Sequence, residues 1–199
     1  MIEQYLCYTK GYRRESLLFL SSLMLLLVSA TTILAHDLVW PGEKLKTMVP
    51  QAESFEQKNL YISDEQRLHI EKALGSTLPE EDVKPSIYLA VIRGNPGAPP
   101  RKASAIMFID AYGEEGKIEI GVVVGGKGAI QKVYIFENKE SEKVTNQAFL
   151  KQFEGKKASD PFKVGADITA PSGKEKPAQA IASGARRGVL IINELFKRK

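Results

Sequence analysis

An α+β fold, an antiparallel sheet packed by helices, is what this 199-residue chain predicts, and three patterns predict it. Four runs rich in β-branched and aromatic residues lie between Ser86 and Glu137, each of strand length and each followed by turn chemistry. Behind them, Ala178, Ile181, Ala182, Ala185, Val189, Ile192 and Phe196 recur at spacings of three and four, the period of a helix with one buried face, which leaves Gln179, Arg186, Arg187 and Glu194 on a polar stripe facing solvent. Ahead of them, Ser63 and Gln66 have capping-box spacing and Gly75 stands where a helix C-cap belongs.

Residues 1–35 read as a membrane-targeting helix, either a signal peptide or an anchor. Lys10, Arg13 and Arg14 precede a run from Leu17 to Ala35 whose only polar residues are Ser21, Ser22, Ser29, Thr31 and Thr32. Val28-Ser29-Ala30 offers small residues for cleavage, while a run of about 19 residues approaches what one transmembrane helix needs. The cations precede the run, so the positive-inside rule places the rest of the chain in the periplasm or outside the cell.

Residues 36–84 form a helical lead-in. Leu45, Met48 and Val49 make a short amphipathic turn after Pro41-Gly42, stopped by Pro50. In the helix that Ser63 begins, Ile70, Ala73 and Leu74 face inward and His69 lies half-exposed beside them.

Residues 85–199 carry the main α+β domain. Ser86 to Arg93, Ala103 to Asp110, Lys117 to Val124 and Ile130 to Glu137 are its strands, and the short Gly/Pro breaks make a four-stranded meander the economical topology. Alternation in Lys117 to Ile120 and Gln131 to Ile135 predicts one wet face and one face under helices. A polar stretch follows, then a helix capped by Thr145, buried through Phe149, Leu150 and Phe153 and ended by Gly155. On composition, Lys156, Lys157 and Lys163 belong to a solvated surface loop. The loop with Thr169, Ser172 and Gly173 leads into the last helix, which Pro177 opens at its first position. Free amides and the positive helix end make this the layout of an anion site, though most such junctions bind nothing. Gly184 and Gly188, one turn apart, point to close packing on a sheet.

Several functions are excluded on composition. The formal charge is +4, but Lys and Arg alternate with Asp and Glu, so no basic stripe with stacking aromatics exists for nucleic acid. His36, His69 and a lone Cys7 exclude a Cys/His metal site and a disulfide framework. No triad, Walker loop or dinucleotide fingerprint is present, so no catalytic residue is assigned.

The order of motifs, I-D-A-Y-G, G-K-I-E-I-G-V-V-V, K-V-Y-I-F-E-N-K-E-S, F-L-K-Q-F-E-G-K and V-G-A-D-I-T-A-P-S-G before an Ala-rich helix, resembles the periplasmic FMN-binding domain family over roughly Leu45 to Phe196. That family includes flavin-carrying subunits of sodium-pumping NADH:quinone oxidoreductase, Rnf-type relatives and the sensor region of nitrous oxide reduction regulators. The resemblance implies an FMN electron carrier in a membrane-associated redox chain, with redox proteins or quinone as partners. It places Glu140 and Ser141 beside the flavin, matches Gln152 and Lys156 to a Q-F-x-G-K stretch, and sets Asp167, Thr169, Ser172, Gly173 and Lys174 in the attachment loop. That loop has Ala170, Pro171 and Ser172 where the family has glycine, alanine and a flavin-bearing threonine, and Asp167 is one residue too close to Ser172. The expectation is therefore non-covalent FMN, with Lys174 and Lys176 as phosphate cations. The alternative is a cofactor-free structural or sensory exported module.

Overall fold

The computed structural model describes residues 40–95 and 97–197. The chain divides after Pro41, and every element below belongs to the unit Gly42–Lys199. Residues 1–35, expected from the sequence to be a targeting segment, lie outside the described residues, among which no helix is long and apolar enough to cross a membrane.

The α+β expectation holds, with one strand more than the meander foresaw. In chain order the elements are α1 (Gly42–Met48), β1 (Ser54–Asn59), α2 (Asp64–Leu74), β2 (Ser86–Ile92), β3 (Arg101–Tyr112), β4 (Lys117–Gly125), β5 (Ile130–Ile135), α3 (Glu142–Thr145), α4 (Gln147–Leu150) and α5 (Glu175–Leu195). The sheet is five-stranded and antiparallel, in the order β1-β2-β3-β4-β5. The additional strand, S-F-E-Q-K-N, pairs Phe55 with Ala90 and Lys58 with Ile87. Its composition hides it: one aromatic among polar residues has low strand propensity, and edge position on β2 supplies the structure instead.

The last helix and the sheet make the main core. Ala178, Ile181, Ala182, Ala185 and Val189 are fully buried against Ile109, Ile118, Ile120 and Val122 of the sheet, with Ile70 of α2 in the same cluster. The two glycines let the helix backbone come close. A Cβ on Gly184 would lie 2.5 Å from Ile120 Cδ1, and one on Gly188 would lie 3.0 Å from Val122 Cγ2.

The opposite sheet face is covered, not wet as the alternation implied. Leu45 and Met48 of α1, with Val49 and Ala52, pack on Tyr88, Ala90, Ile106 and Val123, and Phe55, Phe108, Tyr134 and Phe136 extend this second cluster. The polar positions that suggested water are held at its rim: Lys44 Nζ pairs with Glu119 at 2.5 Å and stands over the Phe136 ring.

Local signals read with mixed success. The capping box of Ser63 and Gln66 is present and Gly75 adopts the left-handed conformation, but Ala73 is exposed and only Ile70 of α2 is fully buried. The expected helix at Thr145 is two single turns instead, capped by Ser141 and Asn146. An asparagine that accepts the amide of Phe149 restarts the helix and makes Thr145 an end. Pro177 is the third residue of α5, not the first, which its missing N–H allows because the first turn has no carbonyl to bond.

Gly184→Ala tests the close approach. At an exposed helix position that change stabilises by about 1 kcal/mol, whereas here the methyl must displace Ile120 in a filled core, an overpacking cost of about 1–3 kcal/mol. Net destabilisation is expected in urea unfolding; a more stable variant would mean that the helix does not press on β4.

Candidate functional site

The predicted site residues gather at the N-terminal end of α5, in two groups. The first is a closed polar network. Asp167 accepts from Lys156 Nζ at 2.7 Å and from the amides of Lys163 at 2.7 Å and Phe162 at 3.1 Å. Gln152 holds Thr169 from both sides, donating to its carbonyl at 3.1 Å and accepting from its amide at 2.8 Å. Burial pushes the Asp167 carboxyl up, but the Lys156 ammonium and the two amides outweigh it and hold it below its ordinary value. Lys156, expected in a solvated run, is mostly buried and also stands over the Phe162 ring.

What this network holds is a strained turn. Phe162 has φ 52°, the left-handed region, which costs a residue with a Cβ about 1–3 kcal/mol. Its amide is fixed by Asp167, its carbonyl by Gln179 at 3.0 Å, and its ring stacks on Phe153. Gln179, expected to be solvated, instead bridges α5 to this loop and also accepts from Val164 N at 2.9 Å.

The second group surrounds the helix start. Glu140 is buried; its Oε1 accepts from Glu115 N at 2.7 Å in the β3–β4 turn, while its Oε2 has no hydrogen-bond partner. Lys174 Nζ reaches Glu114 of the same turn at 3.2 Å. Ser141 makes a local helix cap, accepting from Lys143 N at 3.4 Å. Ser172 and Gly173 are exposed, and Gly173 N donates to Glu175 Oε1 at 3.1 Å. Lys174 occupies the N-cap position without a side-chain cap bond, so the next two amides, of Glu175 and Lys176, face outward from the first turn.

Two clefts flank the outer face of α5 and meet at Pro79, Gln179, Ser183 and Arg187. The larger, about 470 Å³, begins at Lys176 and runs past Ala180 and Gly184 to Ala111 and Tyr112 of β3. Tyr112 is 70% exposed, the most open large ring among the described residues. The smaller, about 400 Å³, lies toward Pro161, Phe162 and Lys163.

Arg187, expected to be solvated, separates the clefts. Its Nε is 2.5 Å from Asp82 Oδ2, an ion pair whose N–H is not aimed along a hydrogen bond, and its Nη2 donates to Asp110 O at 2.5 Å. Asp82 sits in the one-turn helix Glu80–Asp82 and is nearly inaccessible. Burial pushes its carboxyl up to about 6; Arg187 pulls it down, and Glu81 and Asp110 add to the rise. Neither residue was foreseen, because an arginine on the polar stripe and an acid in a connector carry no periodic signal. Among the described residues no group of His, Cys, Asp and Glu could hold a metal ion.

The sign of the Asp82 effect follows from its raised pKa. Between the unfolded value near 4 and the folded value near 6 the native state binds the extra proton, so this group's contribution is largest below about pH 4 and falls by about 3 kcal/mol as pH rises through 6. The unfolding free energy of wild type minus that of Asp82→Asn should therefore decline from pH 4 to 7. Parallel curves for the two proteins would show that Asp82 titrates normally.

No protein-family model matches the chain, and no curated protein is significantly similar to it.

Proposed function

We propose that the exported part of this chain binds FMN without a covalent bond and acts as an electron carrier beside membrane-associated redox proteins or quinone. The observation that carries the reading is the α5 start, where the exposed hydroxyl of Ser172, two helix-start amides and Lys174 lie in the turn just before Lys176, which lines the 470 Å³ cleft. This donor set fits a phosphate: Ser172 and the amides of Glu175 and Lys176 supply hydrogen bonds, and Lys174 and Lys176 supply charge. The cleft has the volume of small-molecule sites, an apolar floor at Ala111, Ala180 and Gly184, and an uncovered aromatic face at Tyr112. Bound flavin would supply the redox chemistry, with Ser172, Lys174 and Lys176 holding its phosphate and the cleft lining taking its ring.

One observation favours the cofactor-free module instead. The Glu175 carboxylate already takes the Gly173 amide, and Glu114 already holds Lys174, so the site has internal anions. Gln152, Lys156 and Asp167 likewise spend their polar groups on the loop. For FMN to bind, the Glu175 and Glu114 contacts must open.

Protein purified from its own host separates the readings. Acid precipitation should leave flavin absorbance in the supernatant. Colour retained in the pellet would establish a covalent bond, and a colourless preparation would favour the cofactor-free module.

Ser172→Asp tests the phosphate position. A carboxylate about 4 Å from the phosphate, at an effective dielectric near 20, repels it by roughly 4 kcal/mol, a loss of affinity of roughly a thousandfold. Ser172 is exposed, so the apo domain should melt at an unchanged temperature. FMN titration by fluorescence quenching that finds equal affinity in a folded variant would move the phosphate elsewhere.

A further inference from the structure

The smaller cleft differs from the larger in its charge. Lys163, Arg186 and Arg187 line it together with Ser76, Thr77 and Ser183, and no carboxylate does, whereas Glu81 and Asp110 line the larger one. Part of this positive charge is already used. Asp82 neutralises Arg187, and Arg186 Nη2 donates at 2.8 Å to the carbonyl of Ala73 at the C-terminal end of α2. What remains is the Arg186 Nε, buried without a hydrogen-bond partner, and Lys163, which has no carboxylate partner among the described residues. Ser183 Oγ accepts from Gln179 at 3.1 Å, which leaves its own proton to donate.

The other walls are apolar. Leu74, Pro79, Pro161 and Phe162 supply the carbon surface, Gln179 being tied to Phe162 and Ser183, and the strained, doubly anchored backbone of Phe162 holds Lys163 at the rim. A cleft of about 400 Å³ is of small-molecule size, too small for a macromolecular surface. Guanidinium and ammonium donors over hydroxyls select an oxyanion, and the carbon walls select a compact apolar body behind it.

We propose that this cleft, on the Phe162 side of α5, binds a small organic anion, one phosphate or carboxylate group on an apolar body, at a site separate from the Ser172 turn. It does not depend on FMN.

The probes are phenyl phosphate and benzoate, with benzyl alcohol as the uncharged control, titrated calorimetrically into the full chain in detergent at low salt. At least one anion should saturate at a single site while the alcohol does not, and the tighter anion identifies the headgroup. Lys163→Glu should weaken that binding at least tenfold with an unchanged melting temperature, since Lys163 is exposed and unpaired, while Ser172→Asp should leave it unaltered. Failure of both anions to saturate, equal affinity in Lys163→Glu, or loss of binding in Ser172→Asp would each overturn the proposal. Because FMN plays no part in the titration, failure here leaves the flavin reading to its own test.

Discussion

The constraint on which the rest depends is how close α5 must lie to β3 and β4. An apolar helix face containing several alanines buries little area unless the backbones nearly touch, and Gly184 and Gly188 permit that contact over Ile120 and Val122. Once the helix is seated, its start and outer face have fixed positions. Lys174 then meets the β3–β4 turn, Gln179 meets the Phe162 loop, and Arg187 meets Asp82. Both clefts are the spaces left between that helix and the segments pinned to it.

Elements whose own periodicity dictates them were legible in the sequence. The four strands from Ser86 onward, the capped α2 and the α5 apolar face each repeat one signal several times, and tertiary context only shifts their ends, lengthening β3 by two residues at each side. The strand Ser54–Asn59 was not legible, because its identity comes from pairing with β2 and from Phe55 in the second core. Misreading the outer sheet face has the same cause. Alternation in β4 and β5 reports which positions differ, not whether a short helix such as α1 will cover them.

Part of the site was legible for a different reason. Resemblance drew attention to Gln152, Lys156, Asp167 and Thr169, and these do come together, but as the clamp of a strained turn. Glu140, which the resemblance sets beside the flavin, satisfies a turn amide with one oxygen while the other stays unpartnered. Tyr112, Asp82 and Arg187 carry no motif, so only the folded arrangement brings them to the clefts.

That clamp changes what ligand binding at the α5 start would cost. In most loops a phosphate must first order the backbone that surrounds it, and the ordering consumes much of the gross interaction. Here Asp167 ties the loop of residues 162–169 together from within, and Gln152 and Gln179 anchor it from outside, all without any ligand, so the chain leading to Ser172 is already held in place. The opposing term is electrostatic. Glu175 belongs to the first turn of α5, where the helix dipole stabilises it, and an incoming phosphate competes for the same amides. A dianion carries more charge to those amides than one carboxylate does, and Lys174 and Lys176 add to its side of the balance. Occupancy of this site therefore turns on whether Glu175 and Glu114 can swing to solvent, an exposed side-chain motion that needs no change in the fold.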